Sequence, residues 1–175
     1  MDLAVVGSVA LDTVETPWGK VEDCLGGAAT YFSFAASLYT RVGMIGVVGE
    51  DFPSAHVDAL KRRGVNVEGL EMVPGKTFRW SGRYHQDVNR RDTLDTQLNV
   101  FESFRPQLPD SARNAPYLFL ANIHPSLQLD VLNQSRAAFV GLDTMDLWIR
   151  TTRDILEQVL RRVHVLIIND AEARQ

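Results

Sequence analysis

Four apolar runs in this chain each end on a polar side chain that can hydrogen-bond: Asp12, Asn122, Asp143 and Asn169. A carboxylate such as Asp12 accepts two or more hydrogen bonds at once, which suits vicinal hydroxyls. The pair Gly26-Gly27 opens the run Ala28-Ala29-Thr30-Tyr31-Phe32-Ser33-Phe34-Ala35-Ala36. Without a Cβ, paired glycines let a ligand approach the backbone, and the helix behind them directs unsatisfied N–H groups at it. Asn169-Asp170-Ala171-Glu172 follows the last apolar run and starts a helix. A carboxylate there is a dipole partner for the helix, or a ligand for magnesium through water. Asn and Asp are also the usual capping residues, so each polar group alone has a structural reading. Four of them on one edge, beside a glycine turn, favour a site.

The elements that must carry these residues follow from periodicity. Residues 2–11 are apolar throughout, which suits a strand buried on both faces and ending at Asp12. Residues 27–40 read as a helix, 41–48 as a second buried strand, and Pro53 to Gly64 as a helix whose apolar side is Ala55, Ala59 and Leu60. Val65 to Val73 reads as a third strand. From Thr77 the pattern changes to period two: Phe78, Trp80, Gly82 and Tyr84 face one way, Arg79, Ser81, Arg83 and His85 the other. Alternation means one covered and one wet face. Residues 13–22 and 77–101 therefore read as a small antiparallel flap, whose aromatic side can cover the apolar face of a ligand. Buried runs resume at 117–121, 138–142 and 163–168, separated by helical segments such as 152–161, with its stripe of Ile155, Leu156, Val159 and Leu160. Strands alternating with helices imply a parallel sheet covered on both sides.

Composition excludes several classes. At 175 residues the chain fits one domain with a sizeable core, and a formal charge of −4 argues against a general nucleic-acid or anionic-membrane binder. The basic pairs Arg62-Arg63, Arg90-Arg91 and Arg161-Arg162 are dispersed. Cys24 is the single cysteine, so no internal disulfide forms, and a reducing cytoplasm is the expected setting. The first apolar run lacks a basic flank and is interrupted by Asp2 and Asp12, unlike a signal peptide. No apolar stretch approaches a membrane span. His56, His85, His124 and His164 have no metal-ligand spacing.

The ordered set formed by Leu3–Asp12, the glycine pair 26–27 and Val42-Gly43-Met44-Ile45-Gly46-Val47-Val48-Gly49-Glu50-Asp51-Phe52-Pro53 resembles the N-terminal signature of the ribokinase-like (PfkB-type) sugar kinases. The resemblance covers essentially the whole chain. It implies an α/β three-layer sandwich with a mostly parallel central sheet and a β-lid that closes over substrate and often forms a dimer. It also implies ATP-dependent phosphorylation of a sugar or nucleoside hydroxyl. Asp12, Gly26 and Gly27 would then bind the sugar, with Tyr31 and Asn122 beside them. Asn169 and Glu172 match the Asn-x-x-Glu element that organises magnesium and phosphate, Asp143 joining them on the nucleotide side and Glu172 holding Mg2+ through water. Asp143-Thr144-Met145-Asp146 with Trp148 resembles the family's Asp-x-Asn segment with a downstream Trp, but its asparagine is absent. Tyr31 stands where many members carry Asn.

The family's second signature, a Gly-Ala-Gly-Asp turn that supplies the anion hole and the base, has no counterpart in these residues. The resemblance therefore implies the N-terminal portion of such a kinase, its C-terminal part missing, and little or no activity alone. The alternative is a non-catalytic sugar- or nucleoside-binding module acting through a lid-mediated dimer or a partner chain. A dinucleotide-dependent oxidoreductase ranks last, because the turn Gly7-Ser8-Val9-Ala10 lacks the Gly-x-Gly-x-x-Gly fingerprint.

Overall fold

The structure is a computed structural model describing residues 1–88 and 90–175. Its centre is a six-stranded parallel sheet built from β1 (Leu3–Val6), β4 (Val42–Gly49), β5 (Asn66–Val73), β8 (Tyr117–Leu120), β9 (Phe139–Asp143) and β10 (Val165–Ile167), in the order β10-β9-β8-β1-β4-β5. The chain starts in the middle of the sheet, runs out to β5, and returns to build the other half outward from β8. The order thus reverses between β1 and β8, the position where open α/β sheets hold their ligands, beyond the carboxyl ends of the strands.

Why these runs are strands is plain from their surroundings. Every residue of β4 is buried, as a strand covered on both faces requires. On one face, side chains of β1, β8 and β9 such as Val6, Leu120 and Leu142 pack with Leu127 and Val131 of α4 (Pro125–Gln134) and Leu156 and Val159 of α6 (Arg153–Leu160). The short α3 (Asp110–Arg113) adds Ala112 to that layer. On the other face, Val5 and Met44 meet Ala29 and Phe32 of α1 (Ala28–Ala36) and Leu60 of α2 (Ser54–Arg62). That layer stops at Phe32, which stacks flat on Phe119 at 3.5 Å. Beyond it Tyr117, Phe139, Val165 and Ile167 are exposed and line a shallow apolar groove.

A second sheet of four strands leaves the main body: β2 (Ala10–Thr16), β3 (Gly19–Gly26), β6 (Arg79–Tyr84) and β7 (Arg91–Gln97), in the order β3-β2-β6-β7. It is two antiparallel hairpins joined by a parallel β2–β6 pairing. Two boundaries differ from the sequence reading. Residues 2–11 are not one strand: β1 ends at Val6, and the buried residues Gly7-Ser8-Val9 turn the chain into β2. Asp12 therefore lies within a lid strand rather than at the end of β1, and the first lid segment spans 10–26 rather than 13–22. Apolar burial continues unbroken through the turn, so periodicity cannot register the change of sheet. In the second segment, β7 gives way to a 3-10 turn over Asn99–Ser103.

The lid is tied to the main sheet by polar bonds. Asp51, just after β4, accepts from the N–H and Oγ1 of Thr77, both at 2.7 Å, and from Arg79 at 2.9 Å. Arg79 also pairs with Asp23 of β3. These bonds outweigh burial and hold the Asp51 carboxyl below its ordinary range.

At Gly27 the backbone has φ 95°, and a Cβ would press into the Ser8 carbonyl. Gly27→Ala should therefore destabilise the fold by roughly 2–4 kcal/mol, as a side chain forced into a positive-φ, close-contact position does. Thermal denaturation checks this; a variant melting within 2 °C or so of the parent contradicts it.

Candidate active site

The cleft that these elements leave lies at the switch point, under the lid, and has a volume of about 560 Å³. Its floor is Ser8 after β1, Gly27 and Ala28 at the start of α1, and Asn122 and Ile123 after β8. Its roof is Phe78, Trp80 and Tyr84 of the lid, the aromatic side expected from the alternation, with Phe101 behind them. The far wall is Met145 to Trp148, which leads into α5 (Asp146–Thr151) beyond β9.

Asp12 stands in this cleft. Among the described residues its carboxylate has no hydrogen-bond or ion-pair partner, although its backbone carbonyl receives the Cys24 thiol at 3.1 Å. Burial pushes its carboxyl up to about 6. The glycine pair serves it in a way different from expectation. Gly26 pairs with Ala10 across the β2–β3 ladder, diagonal to Asp12, and a Cβ there would overlap the carboxylate, so this glycine makes room for the aspartate itself. Gly27 lines the cleft and lets α1 start against Ser8.

The helix N–H groups are not all open to a ligand. Ser8 Oγ accepts from Ala28 N–H at 3.1 Å, and its carbonyl accepts from Ala29 N–H at 3.1 Å. Ser8 caps α1 from outside the helix, across 20 residues of sequence. Local sequence carries no signal for such a long-range cap. Tyr31 lines the cleft, 61% exposed, its hydroxyl donating to the Leu25 carbonyl at 3.3 Å. Burial and then the nearby Asp12 charge raise its phenol above the ordinary range.

Asn122 also reaches the cleft, but its amide is engaged. Its Oδ1 accepts from the Trp148 indole N–H at 2.8 Å, and its Nδ2 donates to Met145 Sδ at 3.2 Å. It thus ties the end of β8 to the wall in front of α5. Met145 and Trp148 entered the sequence reading only through a motif; Ser8 and the lid residues Arg91 and Thr93 were not anticipated.

A second polar cluster lies beyond β9 and β10, apart from the residues lining the cleft. Asp143 is the last residue of β9, and its buried Oδ1 has no partner among the described residues. Burial and then the charge of Glu172 push its carboxyl up to about 7. Asn169 and Glu172 close on one another: Glu172 accepts from Asn169 N–H at 3.0 Å, and Asn169 Oδ1 accepts from Glu172 N–H at 2.9 Å. This is the reciprocal geometry of a capping box. β10 ends at Ile167, two residues before Asn169, and the segment beyond is a 3-10 turn (Glu172–Arg174) rather than an α-helix.

Comparison with known proteins places this geometry. No protein-family model matches the sequence. The six-stranded sheet with its lid superposes on a ribokinase from Cryptococcus neoformans in complex with ADP, with TM-score 0.79 and 19% identity over 97% of this chain and 57% of that one. It superposes also on the nucleoside kinase of Methanocaldococcus jannaschii, an archaeal member of the ribokinase family, with TM-score 0.75 and 16% identity over 99% of this chain and 62% of that one. The fold is ribokinase-like. In sequence the chain is 28% identical over 177 residues to a cytidine kinase of Thermococcus kodakarensis, an alignment that takes in 99% of this chain and 63% of that kinase. The ribokinase-like fold is thus matched along the N-terminal part of longer proteins.

The buried Asp12 carboxyl gives the site a pH signature. Its folded pKa lies above the unfolded value of 3.8, so its contribution to stability is full below about pH 4 and is lost as the pH rises through about 6. Asp12→Asn should raise the melting temperature at pH 8 by about 2–6 °C, on the order of 1–2 kcal/mol after solvent screening, and give no gain at pH 4. A lower melting temperature for the variant at pH 8 contradicts the argument.

Proposed function

We propose that this chain carries the acceptor-binding part of a kinase that transfers a phosphoryl group from ATP to a hydroxyl of a sugar or nucleoside. One observation carries the reading: at the switch point of a ribokinase-like sheet, Asp12 presents a carboxylate that no described residue satisfies, in a cleft roofed by aromatic side chains. Two vicinal hydroxyls of a ligand would supply the missing donors, and the apolar face of the same ligand would lie under Phe78, Trp80 and Tyr84. Gly27, Ala28 and Ser8 form a floor against which a sugar ring can lie close to backbone. The names of the relatives agree with this class of substrate: a cytidine kinase, a nucleoside kinase and a ribokinase, the last holding ADP.

Asp143 and Glu172 fit a magnesium site. Two carboxylates repel one another, and the Asp143 Oδ1 atom is buried without a partner among the described residues. A cation relieves both, and magnesium needs only one or two protein carboxylates because it keeps several waters and binds nucleotide phosphates. Asp143 would hold it directly or through water, and Glu172 through water, with Asn169 fixing the Glu172 carboxylate. When bound, magnesium neutralises charge on the transferring phosphates, while this chain's residues hold the acceptor hydroxyl in place.

Among the described residues only Asp12 and Asp146 bring carboxylates to the cleft, and the sequence contains no Gly-Ala-Gly-Asp turn. Asp12 is committed to binding hydroxyls in this scheme, so no group is assigned to take the proton from the attacking oxygen. We therefore read the 175 residues as binding the acceptor without turning it over, which keeps the binding-module alternative in view.

Calorimetry with sugars and nucleosides tests the proposal. Saturable binding should appear for at least one of them and weaken at least about 30-fold in Asp12→Ala, since each hydrogen bond to a charged group is worth about 1.5–3 kcal/mol. Binding that survives Asp12→Ala unchanged contradicts the site. Adding ATP and magnesium should give no phosphorylated product from the 175-residue chain; turnover would overturn the binding-only reading.

A further inference from the structure

The cleft is wider than the part of it that Asp12 serves. Asp12, Ser8 and Gly27 lie where β1 ends and α1 begins, whereas Trp148 lies beyond β9. In the sheet order β9-β8-β1 the two ends are separated by two strand spacings, about 10 Å. A single sugar ring engaged by Asp12 covers the floor at β1 and stops short of this wall.

The wall has its own chemistry. The Trp148 indole N–H is already given to Asn122 Oδ1 at 2.8 Å, so the ring has no free donor for a ligand. His124 packs against it at 70° with 5.0 Å between centroids, and His124 is itself fixed, Nδ1 accepting from Ser126 N–H at the start of α4. What Trp148 offers the cleft is therefore a flat, immobilised aromatic surface. Its neighbours there, Ile123, Met145 and Leu147, are apolar; of the polar ones, the Asn122 amide is already engaged by Trp148 and Met145, which leaves Asp146. A second sugar ring would place several hydroxyls against this apolar wall without partners, at a cost that a flat heterocycle avoids. Base-on-aromatic stacking is favourable and tolerant of which base it is.

Resting on the kinase reading above, we propose that the acceptor is a nucleoside and that Trp148 is the platform for its base. Asn122 is the positioning residue: it holds the indole edge and, through Met145, the segment that carries it. Selection for a nucleoside over the free sugar then resides in the β8 and β9 ends, not in the Asp12 half of the cleft.

Calorimetric titration of the 175-residue chain with cytidine, adenosine, inosine and free ribose tests this. At least one nucleoside should bind tenfold or more tightly than ribose. Trp148→Leu should weaken that nucleoside tenfold or more and leave ribose within twofold, while Trp148→Phe, which keeps a ring face, should retain most of the affinity. Asn122→Leu should weaken the nucleoside by an intermediate factor and by clearly more than it weakens ribose, a selectivity that a general loss of fold does not produce. Ribose binding as tightly as every nucleoside, or Trp148→Leu weakening both ligands alike in a chain that melts like the parent, overturns the inference while leaving the acceptor site standing. Absence of saturable binding by all four ligands and by the wider sugar panel overturns the kinase reading itself.

Discussion

The close approach of Gly27 to the Ser8 carbonyl is the constraint on which the rest of the molecule depends. At that contact β1 has just ended, β2 is about to start, and α1 begins under the cap that Ser8 provides. A side chain at residue 27 would push α1 away from the turn and open the floor of the cleft. Gly26, one residue earlier, leaves the volume that the Asp12 carboxylate fills. Two adjacent glycines thus do different work: the first admits an aspartate and the second admits a helix. The lid is rooted at the same contact, because β2 starts just after Ser8 and β3 ends just before Gly27. The position of the lid over the sheet is then fixed from its other end by Asp51, Thr77 and Arg79.

This arrangement gives the cleft two unlike surfaces. The floor presents backbone and one buried carboxylate, whose charge is held in check by poor solvation. The roof and far wall present aromatic and aliphatic side chains with few polar groups. A ligand that fits must offer hydroxyl donors on one edge and an apolar face on the other. Ionised Asp12 is costly to the empty protein and is relieved by such a ligand, so strain at the site is converted into affinity. Beyond β9 and β10, the buried Asp143 carboxyl beside Glu172 is a second destabilised group, again suited to a charged partner rather than to the fold.

Much of the framework was legible in the sequence because buried parallel strands are continuous apolar runs. The runs 117–121 and 138–142 stood out on that ground and overlap β8 and β9, the run 163–168 contains β10 although that strand is exposed rather than buried, and the period-two alternation after Thr77 marked the lid. The switch of sheet at Gly7-Ser8-Val9 was not legible, since those residues are as buried as the strands around them. That single misreading placed Asp12 on the wrong element while still assigning it to the ligand. Asn122 was legible as a polar group at a strand end, but its bond to Trp148 spans 26 residues and has no local signature. Asn169 and Glu172 carry the reverse lesson. The same i, i+3 spacing that suggested a magnesium element also makes a capping box, and the fold uses it at least for that.

The most direct measurement is the pKa of the Asp12 carboxyl, followed by carbon NMR with and without a saturating nucleoside or sugar. The free protein should titrate near 6 at this residue, as its burial without a partner requires. Hydroxyls donating to the carboxylate favour its charged form, so the ligand should lower that value by a unit or more. A pKa that stays put on saturation, or rises, would mean that the ligand does not meet Asp12 through its hydroxyls, and the account of the site would fail.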